Sequence, residues 1–267
     1  MSNIAKLYSN ELKKNFKIFY ANWEPGGPIK LGDYGVMNGN IFIPMGNLKQ
    51  DFEEFQGDVI KIILDSKKDH KSFKSEKGVD VNLKSKGSLD ASGVPLAKAE
   101  LEIKFSSKDS IFFNAAECVT NRISNKAEIG KILKIMLKEN KWKKKYCVVT
   151  DIVKAGKTII AISESNSSGI SFKASSDEIE SINLADASVG FDFKSESSIG
   201  YRVDGVEGLD IMIGLSKIKN PFPWWNEPIF EPKFKMNESM IYDIENSEEI
   251  ITEASIDDLY FGQMGMD

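Results

Sequence analysis

The chain has 267 residues, of which 41% are hydrophobic and 28% are charged, and its net charge is −5. This composition predicts a soluble globular protein with one large domain or two small ones. No apolar run approaches the ~18 residues of a membrane helix, and the polar start "MSNIAKLYSNELKKNF" is not typical of a signal peptide. We therefore expect a cytoplasmic protein.

The charge is divided unevenly along the chain. Residues 221–267 hold 11 acidic residues and 2 lysines, a balance of −9, whereas the first 220 residues hold 29 acidic and 33 basic residues, a balance of +4. A mildly basic body with a strongly acidic tail suggests a body that meets anions and a tail that competes with them. A tail that only aids solubility would have the same composition.

Residues 2–17 have the pattern of an amphipathic, basic helix. Apolar residues recur near the helical period at Ile4, Leu7, Tyr8, Leu12 and Phe16, and lysines lie between them at Lys6, Lys13, Lys14 and Lys17. Such a helix either packs on a sheet as a terminal helix or contacts a membrane. In the second case the four lysines bind anionic lipid.

The next segment is rich in turn residues, including an "NGN" turn at 38–40, and predicts short strands joined by tight turns. A strand at 59–64 and a charged loop at 65–78 follow. The loop contains the only histidine, His70, which we expect at the surface. The only cysteines, Cys118 and Cys147, lack metal-ligand spacing, so we expect two buried free thiols without a disulfide or zinc.

Residues 77–105 contain two strictly alternating runs and predict a hairpin in which 79–86 pairs with 97–105. The apolar positions of the two runs are Val79, Val81, Leu83, Ala97, Ala99, Leu101, Ile103 and Phe105. Small residues at 87–93 connect the runs. The hairpin is either a half-solvated part of a static sheet or a membrane-inserting element, because a barrel strand needs ~9 to 11 alternating residues.

The strand "SIFFNAAECV" continues the sheet, and one internal helix is predicted at 126–140. Asn125 and Glu128 form a capping-box-like start to this helix. Lysines crowd its end at Lys141, Lys143, Lys144 and Lys145. They complement the helix dipole and are candidates for binding anionic lipid. A pI near 5.3 and the absence of a known motif argue against nucleic-acid binding.

The run "YCVVTDIVKAGKTIIAISES" predicts a buried hairpin that turns at 155–157, and three more strands follow at "SVGFDFKS", "SIGYRVDG" and "LDIMIGLSKI". After Lys219 the chain becomes rich in proline and tryptophan, and then acidic. We expect this segment to be extended and docked by Trp224, Trp225, Ile229 and Phe230. The only basic residues of the tail, Lys233 and Lys235, are candidate cleavage sites for a trypsin-like protease.

The sequence contains no serine elbow, phosphate-binding loop or paired histidines. We interpret the chain as a non-enzyme, with no catalytic residue, no cofactor and no metal.

The order of these parts resembles the pore-forming domain of gasdermins. The nearest motif is Tyr146–Asp151, which follows the internal helix and is similar to the family's "YVVTE" strand. The resemblance covers residues 1–219 and implies an α+β fold, with a twisted, mostly antiparallel mixed sheet and few helices. One departure is that bacterial members tend to carry a lipidated cysteine near the N-terminus, whereas this chain has none before Cys118.

The resemblance also implies a function. It implies a pore-forming effector of the cell-death or defence type, cytoplasmic while inactive and bound to anionic membrane lipids as a homo-oligomer once activated. Residues 220–267 would inhibit it until an activating protease removes them. The alternative is a non-enzymatic, β-rich binding or assembly protein whose tail docks a partner.

Overall fold

A computed structural model describes residues 3–23, 27–89, 95–174, 191–204, 208–220 and 259–265. The helices are α1 (Asn3–Phe16), α2 (Leu48–Asp51) and α3 (Lys126–Lys138). The strands are β1 (Phe19–Ala21), β2 (Asp33–Asn38), β3 (Ile41–Asn47), β4 (Ile62–Ile63), β5 (Asp69–Lys74), β6 (Val79–Leu89), β7 (Pro95–Phe105), β8 (Ile111–Ile123), β9 (Cys147–Ala155), β10 (Lys157–Ser163), β11 (Ser168–Ala174), β12 (Phe191–Ser197), β13 (Ile199–Asp204), β14 (Leu209–Lys219) and β15 (Tyr260–Gln263).

The strands form two antiparallel sheets, a larger one of 11 strands and a smaller one of four. In the smaller sheet the order is β12-β11-β7-β6, so two hairpins lie side by side. The predicted α+β fold with a mostly antiparallel sheet and few helices is confirmed. Within the described ranges, no helix has the length and apolarity to span a bilayer.

The strands β9 and β10 do not form the predicted hairpin, and that prediction is wrong. Both lie along β8 in one register, with Lys154 opposite Val119 and Lys157 opposite Ala116. The chain therefore continues past Gly156 without turning back. A Cβ at Gly156 would lie 2.9 Å from the Cβ of Glu117, so the glycine permits close approach of two strands.

Both predicted helices are present and lie against the larger sheet. Tyr8 and Leu12 of α1 are fully buried, which confirms a terminal helix packed on a sheet. In α3, Leu133 and Met136 are buried in a second core. Asn125 precedes α3, and its Nδ2 donates to Oε2 of Glu128 at 2.7 Å, so the two predicted residues do meet. The Asn125 side chain does not cap the helix backbone, because its remaining bonds go to Lys61 and Val59.

The predicted charged loop at 65–78 is wrong in part, since β5 lies within it. The rings of Phe73 and Phe113 are stacked with their centroids 5.1 Å apart, and this packing stabilises the pairing of β5 with the sheet. His70 lies on β5, and its Nε2 is 2.6 Å from Oδ1 of Asn114. The two cysteines are buried and free, as predicted.

Candidate functional site

The smaller sheet contains the hairpin that the alternating runs predicted. Strands β6 and β7 pair over eleven positions without a register shift, from Val79 opposite Phe105 to Leu89 opposite Pro95. Strand β11 pairs with the other side of β7, from Ser168 opposite Phe105 to Lys173 opposite Glu100. Strand β12 then completes the second hairpin.

The apolar face of this sheet covers the larger sheet. Leu101 and Ile103 are completely buried, Phe105 and Val79 are nearly so, and Val81 is partly buried. They pack with residues of both sheets, namely Phe112, Ile159, Ala161, Ile170 and Phe172. The two sheets are therefore joined here by side-chain packing.

Three further predicted hairpin residues lie where only strand pairing is described. Leu83 is opposite Leu101, Ala97 is opposite Gly87, and Ala99 is opposite Ser85. These pairs extend the same alternation toward the connection between β6 and β7.

The opposite face of the smaller sheet is polar. Lys194 of β12 bonds Glu100 of β7 at 2.8 Å, and Lys104 lies 3.5 Å from Glu102. The alternation that buries one face thus places charges on the other, so this four-stranded sheet is amphipathic.

The four candidate lysines of α1 are not equivalent. Lys6, Lys14 and Lys17 are exposed, and Lys14 lies 3.8 Å from Glu76. Lys13 is partly buried, with its ammonium 3.6 Å from the centre of the Tyr20 ring, a cation–π contact. Lys13 therefore stabilises the fold, whereas the other three face solvent.

The lysine run that follows α3, residues 141–145, contains a buried tryptophan, Trp142. Trp142 is 2% exposed and packs in the second core, and the amides of Lys141 and Trp142 both bond the carbonyl of Met136. Lys141 is 2.8 Å from Glu139 and 3.0 Å from Glu54, and these carboxylates raise the pKa of its ammonium.

The remaining lysines of this run differ from Lys141. Lys143 and Lys145 are exposed, and Lys144 donates to Oδ1 of Asn220 at 2.7 Å. The surface available to an anion at this end of α3 is therefore made chiefly by Lys143 and Lys145.

The predicted tail anchors and cleavage sites lie outside the described residues. They are Trp224, Trp225, Ile229, Phe230, Lys233 and Lys235. The division of the chain at 219/220 stays a prediction.

The end of the tail forms a strand that sequence reasoning missed. Strand β15 pairs with β14, from Ser216 opposite Gln263 to Lys219 opposite Tyr260. Phe261 packs against α3 where Gly130 leaves room for it. The only signal was a short apolar run, "LYFGQM", after the acidic residues.

The motif at Tyr146–Asp151 ends in a partly buried ion pair. Asp151 is 6% exposed, accepts from Lys126 of α3 at 2.6 Å and accepts from the Thr150 hydroxyl at 2.8 Å. Gly214 on the facing strand leaves space for this carboxylate. The pair fixes the start of α3 on the larger sheet, so its role is structural.

No three histidine, cysteine or carboxylate side chains come together as a metal site in the part of the chain that the structure describes. No protein-family model matches the sequence, and no curated protein matches it either.

Proposed function

We propose that this chain is a gasdermin-like, membrane-permeabilising protein and that the smaller sheet is its inserting element. The observation that carries the proposal is the arrangement of two adjacent, amphipathic hairpins in a sheet of their own. Among the described residues, no strand of this sheet pairs with a strand of the larger one. Releasing it therefore breaks side-chain packing and leaves the main ladder intact.

The first hairpin already has the length of a barrel hairpin. Each of its strands has 11 residues, and a membrane strand needs ~9 to 11. Insertion exchanges burial of Leu101 and Ile103 in the protein core for burial in hydrocarbon, so the hydrophobic contribution of these side chains is kept. Strands β6 and β12 are the edges of the sheet, and pairing them between copies would close a homo-oligomeric barrel.

The C-terminal strand supplies a restraint on the closed form. Strand β15 pairs with β14, and Phe261 of β15 packs against Gly130 of α3. A protease that cuts the acidic segment, at Lys233 or Lys235 for example, would leave β15 held only by these contacts. Loss of β15 would then release the body from its closed form, so that the hairpins could insert.

The experiment compares one arginine on each face of the hairpin. Leu101 is unsuitable, because a charge at a fully buried position would unfold the protein. Ala99→Arg places the charge near the middle of β7 on the apolar alternation, where it should cost ~2 to 4 kcal/mol at the bilayer midplane. Asn82→Arg places it at an exposed position of the polar alternation and is the matched control.

Dye release from anionic liposomes is measured for three proteins. They are the chain truncated after Lys219, the same chain with Ala99→Arg and the same chain with Asn82→Arg. We expect Ala99→Arg to abolish release and Asn82→Arg to preserve it. The comparison counts only if both variants keep the melting temperature of the unaltered chain. Full release by a folded Ala99→Arg protein would favour the alternative, a β-rich binding or assembly protein in which the hairpins never leave the sheet.

A further inference from the structure

Three consecutive large aliphatic side chains protrude from the edge of the larger sheet. Ile62 is 47% exposed, Ile63 is 52% exposed and Leu64 is 73% exposed. We call these three residues the aliphatic ridge. Exposed aliphatic residues are ordinary when scattered, whereas neighbouring ones form an apolar patch of the kind found at interaction surfaces.

The backbone beneath the ridge is held in place. The amide of Lys61 donates to Oδ1 of Asn125 at 3.0 Å, and Nδ2 of Asn125 donates to the carbonyl of Val59 at 2.8 Å. Ile62 and Ile63 then pair with the end of β8. The ridge is therefore presented by fixed backbone, which keeps its apolar side chains in contact with water.

The ridge borders a basic groove of about 440 Å³. Ile62 and Leu64 line it together with three lysines, Lys30, Lys49 and Lys154. The only carboxylate in the lining is Asp210, and one of its oxygens lies 3.6 Å from Lys154. Lys30 and Lys49 are exposed and leave the groove with a net positive charge.

This combination fits one class of partner better than the others. An added peptide strand would need a longer edge, since β4 has only two residues. Aliphatic side chains beside lysines match a bilayer surface, where acyl chains lie just below anionic headgroups.

We propose that the aliphatic ridge and the lysines Lys30 and Lys49 bind anionic phospholipid at a bilayer surface. This contact is made by the closed protein, before any strand inserts. It rests on the proposed function, because it names where the protein first meets the membrane. It is separate from the α1 lysines and from the lysines that follow α3.

The experiment measures sedimentation of the uncut, full-length protein with phosphatidylcholine vesicles that contain or lack phosphatidylserine. Ile62→Glu and Leu64→Glu, the two ridge residues that line the groove, should each raise the lipid concentration for half-maximal binding about tenfold, because each replaces an inserting apolar group by a charge. The matched control is Ile135→Glu on α3, since Ile135 is 56% exposed, and it should bind as the unaltered protein does. Lys30→Glu with Lys49→Glu should reduce the preference for phosphatidylserine and weaken the salt dependence.

Three results would overturn the proposal. They are unaltered binding by both ridge variants, an equal loss in Ile135→Glu, or a protein whose oligomeric state changes in the ridge variants while vesicle binding does not. The last result would identify the ridge as a contact between copies. Dye release is recorded separately: binding through the ridge without any release by the truncated chain would contradict only the proposed function.

Discussion

Phe261 of β15 packs against Gly130 of α3. The change in the free energy of unfolding caused by Gly130→Ala should therefore depend on whether β15 is present. A Cβ at Gly130 would lie 2.5 Å from the Cβ of Phe261, which is closer than real Cβ atoms approach, and 3.3 Å from its Cγ, which is a tight contact. Gly130→Ala gains ~0.8 to 1 kcal/mol of helix propensity in α3. In the full chain this gain is opposed by overpacking that costs ~1 to 3 kcal/mol or by displacement of β15.

The two chains should therefore respond differently. In the full chain, Gly130→Ala should lower the free energy of unfolding by up to ~2 kcal/mol, or leave it unchanged while exposing the amides of β15 to hydrogen exchange. In the chain truncated after Lys219 nothing from the tail opposes the methyl group, so the same change should stabilise by ~1 kcal/mol.

Urea unfolding of both chains, with and without the substitution, measures these differences. Ala127→Gly in the same helix is the control, because Ala127 is exposed. This substitution should lower the free energy of unfolding by the same small amount in both chains. Gly130→Ala effects of the same sign and size in both chains would show that β15 does not occupy this place. The full chain with Gly130→Ala should also release more dye from anionic liposomes, if β15 restrains the closed form.

Two further predictions concern the basic surface and the tail. Replacing Lys141, Lys143, Lys144 and Lys145 with glutamate should weaken sedimentation with anionic liposomes by up to ~1 kcal/mol for each lysine that reaches the surface. The double variant Lys143→Glu with Lys145→Glu should show most of this loss, since Lys141 is already paired with Glu54 and Glu139. Unaltered binding of the fourfold variant at low salt would contradict a lipid-binding role for these lysines. Chains truncated after Lys219 or after Lys235 both lack β15 and should release dye equally, whereas a chain cut at Lys235 should retain its C-terminal fragment on gel filtration. Folded truncations that are inert on every lipid mixture would exclude an inhibitory tail.

The pairing of β6 with β7 was predictable because register follows from the side of each strand that is apolar. A slip of one residue would have placed Leu101 and Ile103 in water, so the alternating pattern excludes such a slip. The α1 helix was predictable for the same reason, from its apolar stripe. Local periodicity was sufficient in both cases.

Other features depend on contacts between distant residues. The segment at 155–157 has turn-like composition, yet Gly156 serves a close approach to Glu117 and the chain runs straight on. Lys141 belongs to the basic run by sequence, but Glu54, 87 positions earlier, engages it. Strand β15 could not be predicted from its own short sequence, which follows an acidic segment. Its pairing with β14 and the space that Gly130 leaves for Phe261 arise only in the tertiary structure.

The most direct test of hairpin insertion is quenching by nitroxide-labelled lipid along β7. Single labelled cysteines are placed at consecutive positions from Lys98 to Ile103, in the truncated chain with Cys118 and Cys147 replaced. If β7 becomes a barrel strand, quenching by anionic vesicles should alternate, strong at Ala99, Leu101 and Ile103 and weak at the positions between them. Uniform quenching along the strand, or none at any position, would contradict insertion of this hairpin.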